Sequence, residues 1–388
     1  MSAYESLNFV DEDSLFSEEE LMTRTSVRDF VSKEVIPLLQ EANRKEEFPM
    51  ALIPRFGAMG LLGSSLEGYG CAGLGSIAYG LVMEELERAD SGIRSFCSVQ
   101  GSLVMYPIHT YGSEAQKQKY LPKLAKGEFV GCFGLTEPDA GSNPDAMRTK
   151  AEKVSGGYKL NGNKMWITNG SIADLAVVWA KLDGVVRGFI VEKGTKGFTT
   201  SKMQGKFSLR VSVTSELHFE DCVVGEDSIL PNIEGLKGPL GCLTQARYGI
   251  AWGVIGAANA CYDQAIHYAK ERTIFTKPLA GYQLAQAKLV KMVQEITKAR
   301  LLAIQLGRLK EAGTLKHWQV SLAKMNNCKM ALEVARDARD MLGANGITDE
   351  YPIIRHMLNL ETVNTYEGTE DIHRLIVGRQ ISGQSALT

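Results

Sequence analysis

Asn359 to Arg379 reads NLETVNTYEGTEDIHRLIVGR, and its middle sets one carboxylate, Glu367, between a bulky ring at Tyr366 and a flexible Gly368, with Thr365 and Thr369 outside them. A glycine beside a carboxylate lets backbone come close to a ligand. An aromatic neighbour excludes water from the carboxylate, which raises its pKa and makes it a better proton acceptor near neutral pH. The same residues also spell a helix start: Thr369 as N-cap, Glu370 and Asp371 favoured by the helix dipole, then Ile372, Leu375 and Ile376 facing a core. The helix takes residues 369–379 and leaves Glu367 outside it, where local pattern fits a catalytic base and a surface-loop residue equally.

The 388 residues, 44% of them hydrophobic, suffice for a large core in two or three structural units. Forty-three basic against 45 acidic residues leave a formal net charge of -2, which gives no electrostatic footprint for nucleic acid. The seven cysteines (71, 97, 132, 222, 242, 261 and 328) are odd in number and form no CxxC pair. They read as free thiols of a reducing compartment, against a disulfide framework or a zinc site. The six histidines contain no HExxH, so no metal is expected. The N-terminal MSAYESLNFVDEDSLF is acidic and polar, unlike a targeting peptide, and no run approaches the roughly 20 apolar residues that span a bilayer. A cytoplasmic location without membrane or nucleic-acid partners is expected.

Along the chain, SEEE at 17–20 is a capping box, followed by Leu21, Val27, Phe30, Val31 and Val35 at helical spacing until Pro37. Further helical pieces read at 50–60, 77–91, 98–112 and 114–126. The glycine-rich EGYGCAGLG at 67–75 lacks both GxGxxG and a GK[ST] ending and reads as turns. From about 130 the period changes to short β-type runs at 150–154, 158–161, 164–168, 175–180 and 186–191, broken by SGG, NGN, NGS and LDG, which are hairpin signals. Helical period returns at 244–273, 281–312 and 315–342, with Gly313 marking a tight hairpin. The apolar surplus at Leu301, Leu302, Ile304 and Leu306 suggests further burial against other subunits. The reading is an α+β chain: helical domain 1–130, β-domain 131–236 and helical bundle 237–388.

No GxGxxG follows a strand, which disfavours a Rossmann-bound nicotinamide. TYEGTEDIHRLIVGR instead resembles the catalytic segment of the acyl-CoA dehydrogenases, and TYEG followed by DIH and GR is most similar to glutaryl-CoA dehydrogenase. The resemblance implies a small β-domain between helices, the last of them a four-helix bundle. It makes Glu367 the base that removes the α-proton of an acyl thioester, with Tyr366 and Gly368 beside the substrate and Thr369 at the cofactor. FGLTEPDAGSN at 133–143 and KMWITNG at 164–170 resemble the family's flavin segments. By that resemblance Phe133, Leu135, Thr136, Gly141, Ser142, Trp166 and Thr168 line the FAD and thioester, Ser142 serving both; locally, EPDAGS is also an ordinary turn. Asn143 stands where the family has an aspartate.

A second flavin half resembles ERTIFTKPLAGYQ, through Arg272, Phe275 and Gln283, and MLGANG, through Gly343 and Gly346, with Thr276 and Ala344 replacing family glycines. These reach the FAD of a neighbouring subunit in the family, which implies a homo-oligomer, a tetramer by family expectation. The local alternative for Arg272 is a helix C-terminal charge that complements the dipole. Glu87, Arg94 and Ser98 match glutaryl-CoA dehydrogenase, in which the arginine holds the distal carboxylate of the acyl group; a surface helix of mixed charge is the local alternative. Ile93, Phe96 and Cys97 depart from that pattern. Ala246 before Arg247, a residue implied at the substrate, removes the base used by the isovaleryl-type branch and leaves Glu367. The resemblance implies glutaryl-CoA oxidation with decarboxylation to crotonyl-CoA and electron-transferring flavoprotein as reoxidant, with another CoA- or carrier-bound short acyl thioester, or oxidation alone, as alternatives.

Overall fold

The Ser17 hydroxyl accepts from Glu20 N at 3.2 Å while Glu20 Oε2 accepts from Ser17 N at 2.7 Å, so the capping box starts the first helix as the sequence requires. The computed structural model describes residue 4 and residues 7–386; residues 1–3, 5 and 6 of the N-terminal stretch read above as no targeting peptide, with 387 and 388, lie outside the described residues. Seven helices lead the chain: α1 (Glu18–Phe30), α2 (Leu39–Lys45), α3 (Leu52–Ala58), α4 (Ser76–Ala89), α5 (Ser91–Ser98), α6 (Tyr106–Tyr111) and α7 (Glu114–Lys126). The helix read at 98–112 instead starts at Ser91, because the Asp90 carboxylate accepts from Gly92 N at 2.7 Å and caps it. A π-helical stretch, Val99–Met105, joins α5 to α6.

Seven strands form one sheet: β1 (Gly131–Gly134), β2 (Lys150–Val154), β3 (Gly157–Thr168), β4 (Leu175–Leu182), β5 (Val185–Glu192), β6 (Phe198–Lys202) and β7 (Thr214–Gly225). β4, buried along most of its length, has β5 antiparallel on one side and β1 and β2 parallel on the other. From β2 the sheet continues through β3 and β7 to β6. The NGN at 161–163 is not a hairpin. Pairing of β3 with β7 shifts register between Leu160 and Gly162, and the strand runs on through a bulge where only glycine clears the side chain of Thr149.

The rest is helical apart from the small hairpin β8 (Thr273–Ile274) and β9 (Lys277–Pro278): α8 (Lys237–Glu271), α9 (Gln283–Glu311), α10 (His317–Met341), α11 (Ile353–Thr365) and α12 (Glu370–Ser382). α8 begins seven residues before the sequence reading, since Pro239 falls in the first turn, where its missing N–H costs nothing. Ile304 and Leu306 are buried within the chain itself, while Leu301 stays 42% exposed. Ile372, Leu375 and Ile376 of α12 are only half-buried, and His373 is the residue of that helix that enters the core. No helix among the described residues is long and apolar enough to cross a membrane.

The backbone of α8 lies against α4 because Gly256 has no side chain: a Cβ there would overlap the Glu84 carbonyl oxygen and stand 2.8 Å from Arg88 N. Gly256→Ala is expected to cost about 1–3 kcal/mol of stability, read as a lower urea midpoint with the helical circular-dichroism signal retained.

Candidate active site

α11 stops at Thr365, and Thr369 caps α12 through its hydroxyl, which accepts from Ile372 N at 3.2 Å. The intervening turn carries two left-handed residues, Glu367 (φ 53°) and Gly368 (φ 99°). A glutamate in that conformation is strained and persists only where its surroundings fix it. Here the fixing groups are cations. Lys324 Nζ donates to the main-chain carbonyls of Asn364, Tyr366 and Gly368 at 3.2, 3.1 and 2.9 Å, and Arg247 Nε donates to that of Glu367 at 2.6 Å. Gly368 must stay small, because a Cβ would stand 2.9 Å from His373 Nε2 and 3.3 Å from Arg247 Nη2.

Glu367 is half-buried, but its Oε2 is fully enclosed and has no hydrogen-bond partner among the described residues. Burial lifts its pKa above the ordinary carboxylate range, and Arg94, Arg247 and Lys324 pull it back. His373, pushed down to about 3 by burial and then by Lys324 and Arg247, is a neutral imidazole.

Arg94 and Glu87 are both 0% exposed, which removes the surface-helix reading of 85–105. Arg94 Nε donates to Glu87 Oε2 at 2.6 Å, and Nη2 donates to the Tyr366 hydroxyl. The arginine expected to await a substrate carboxylate thus already has an internal acid. Its Nη1, with Glu87 Oε1 and the Ser98 hydroxyl, is buried and without a hydrogen-bond partner among the described residues. Ile93, Phe96 and Cys97 are buried in the helical core, where Phe96 stacks on Phe48 at 4.6 Å between ring centroids and Cys97 lies one helical turn from Arg94.

The two segments at 133–143 and 164–170 meet at a point the sequence reading missed. Lys164 Nζ donates to Leu135 O at 3.0 Å and to Glu137 Oε1 at 2.8 Å, while Met165 N donates to Thr136 O at 2.9 Å. Glu137 also accepts from the amides of Arg148 and Thr149 at 2.6 and 3.0 Å. Phe133 and Leu135 are buried below this junction, Thr136 and Thr168 are half-buried, and Gly141 and Ser142 are exposed. Trp166 is 58% exposed and left-handed, with φ 63°.

Arg272, Phe275, Gln283 and Gly343 are exposed, Phe275 by 94%. Among the described residues no hydrogen bond or ion pair joins them to the Tyr366–Gly368 turn. Gly346 is buried, and a Cβ there would overlap the Arg339 carbonyl oxygen. Lys324 was also missed. Its signal was a lysine in register with Val320 and Cys328 on the apolar stripe of α10.

Three family models match in chain order: acyl-CoA dehydrogenase, N-terminal domain over residues 17–128, middle domain over 132–222 and C-terminal domain over 234–382. The chain belongs to the acyl-CoA dehydrogenase family. A glutaryl-CoA dehydrogenase from Mycobacterium smegmatis, in complex with FADH2, superposes with a TM-score of 0.98 at 47% identity over 100% of both chains. The acyl-CoA dehydrogenase of Bacillus subtilis is 36% identical over 95% of this chain and 99% of its own length. The mitochondrial isovaleryl-CoA dehydrogenase of Solanum tuberosum is 34% identical over 95% of this chain and 91% of its own. All three are acyl-CoA dehydrogenases by name, and the two that name an acyl group differ, glutaryl in one and isovaleryl in the other.

Within this acyl-CoA dehydrogenase, Arg94→Met leaves Glu87 buried without its cation and is expected to cost about 3–5 kcal/mol. Glu87→Gln combined with Arg94→Met should recover much of that loss, and urea unfolding of the two single variants and the double variant measures the coupling.

Proposed function

We propose that the chain catalyses FAD-dependent α,β-dehydrogenation of glutaryl-CoA, followed by decarboxylation to crotonyl-CoA and carbon dioxide. The observation that carries this reading is the enclosed Glu367 carboxylate with an unpartnered Oε2, one residue from the Tyr366 hydroxyl that Arg94 binds. The residues present fit a flavin. Trp166 offers an exposed ring beside Thr168, Gly141 has open space where a Cβ would stand, and the hydroxyls of Thr136 and Thr168 are half-buried on the same rim. Phe133, Leu135 and Ser142 complete that half of the cradle. Arg272, Phe275, Gln283, Gly343 and Gly346 would serve the FAD of a neighbouring copy in a tetramer, and an aromatic as exposed as Phe275 supports a covering partner.

FAD, when bound, supplies the acceptor for the hydride that leaves the β-carbon. Glu367 takes the α-proton, and the electron pair of that C–H bond enters the new α,β double bond. Arg94 Nη1 and the Ser98 hydroxyl, both buried and unpartnered, hold the distal carboxylate of the acyl group. Arg247 and Gly368 set the backbone that faces the thioester, and Glu87 keeps Arg94 in place. In the second step the bond to the distal carboxylate breaks, carbon dioxide leaves, and the electron pair delocalises into the enoyl thioester until a proton quenches it. Electron-transferring flavoprotein is the reoxidant in this reading.

A second reading, oxidation of another short acyl thioester, is favoured by the isovaleryl name among the relatives.

Anaerobic mixing with glutaryl-CoA should bleach the flavin and yield crotonyl-CoA by mass; glutaconyl-CoA as product would remove the second step, and bleaching by other thioesters alone would favour the second reading. Glu367→Gln should slow bleaching by about 10²–10⁴-fold. Since the carboxyl pKa is raised and the ionised form is the base, the wild-type rate should climb with pH through a midpoint above the usual carboxylate range.

A further inference from the structure

Lys324 is 0% exposed, lies in the N-terminal third of α10 and forms no ion pair among the described residues. A buried ammonium without a carboxylate partner is costly. A neutral side chain could fill the same volume without that cost, so the charge calls for an explanation. All three of its N–H donors are used, on the carbonyls of Asn364, Tyr366 and Gly368, and only the protonated amine has three. These carbonyls alternate along the turn, and Arg247 takes one of the two that lie between them, that of Glu367. Asn364 lies in the last turn of α11, whose final carbonyls lack helical partners and favour a cation.

We propose that Lys324 is the positioning residue of the base: its ammonium fixes the Asn364–Gly368 turn and holds the Glu367 carboxylate ionised before the α-proton is taken. This rests on the assignment of Glu367 as base. The charged and titratable groups around that carboxylate are Tyr79 and Glu87 from α4, Arg94 from α5, Arg247 from α8, Lys324 and Cys328 from α10, His373 from α12, and Tyr366. Arg94 is matched by Glu87 and His373 is neutral, which leaves Lys324 and Arg247 as cations without an acid of their own.

The test compares Lys324→Gln and Lys324→Arg with the wild-type holoenzyme, by anaerobic bleaching with glutaryl-CoA from about pH 6 to pH 9 and by amide hydrogen exchange of the 364–369 segment. Lys324→Gln should move the rising limb of the rate to higher pH by about one unit, a tenfold loss on its acid side, and speed exchange in the turn. Lys324→Arg should keep the limb in place. A loss by the same factor at every pH, or a wild-type limb and wild-type exchange in Lys324→Gln, overturns the proposal. If neither variant folds, the infrared difference between wild type and Glu367→Gln at neutral pH decides: a carboxylate band is expected, and a protonated carboxyl band overturns it. Wild-type bleaching in Glu367→Gln would remove the base assignment itself. An inactive Glu367→Gln beside a wild-type-like Lys324→Gln would remove only the role of Lys324.

Discussion

A carboxylate in a left-handed turn is held by cations that bind its backbone. Three consecutive carbonyls, of Tyr366, Glu367 and Gly368, each accept from a lysine or arginine side chain, and the Tyr366 ring is tied by a third cation, Arg94. The cations come from α5, α8 and α10. Much of the helical architecture can be understood as placing those three side chains around one turn. The same charges that fix the backbone also lower the cost of ionising the carboxylate, so geometry and acidity are set by one device.

Such a device concentrates positive charge in a dry interior, and the fold offsets it in particular ways. Arg94 is paired with Glu87 at 2.6 Å, with Gly253 of α8 leaving room, since a Cβ there would overlap Glu87 Oε2. Lys324 receives only main-chain dipoles. His373 is kept neutral by its surroundings and adds no further charge. On the sheet side the same logic appears once more: Lys164, lowered to about 8 by burial with Glu137 opposing, clips the loop after β1 to β3.

The sequence made parts of this legible and hid others for physical reasons. The capping box at Ser17–Glu20 and the long apolar periods of α8 to α10 are local signals, and they read correctly as a helix start and a helical bundle. The NGN at 161–163 misled because a glycine-containing bulge and a hairpin share the same residues, and only pairing with β7 distinguishes them. Arg94 and Glu87 were visible as a family match, but their mutual pairing was not, because seven residues and a helix break separate them. Lys324 left the faintest trace. A lone lysine on an apolar stripe has no local partner, and its three acceptors lie 40 to 44 residues downstream.

The span of those contacts also governs when the site can exist. Arg94 meets Tyr366 across 272 residues and Arg247 meets Glu367 across 120. Non-local contacts of this kind form only after the intervening chain is ordered. The turn at Glu367 is therefore assembled late: during synthesis, a chain that has yet to emit its last helices has the cations of α5 and α8 in place and no turn for them to hold.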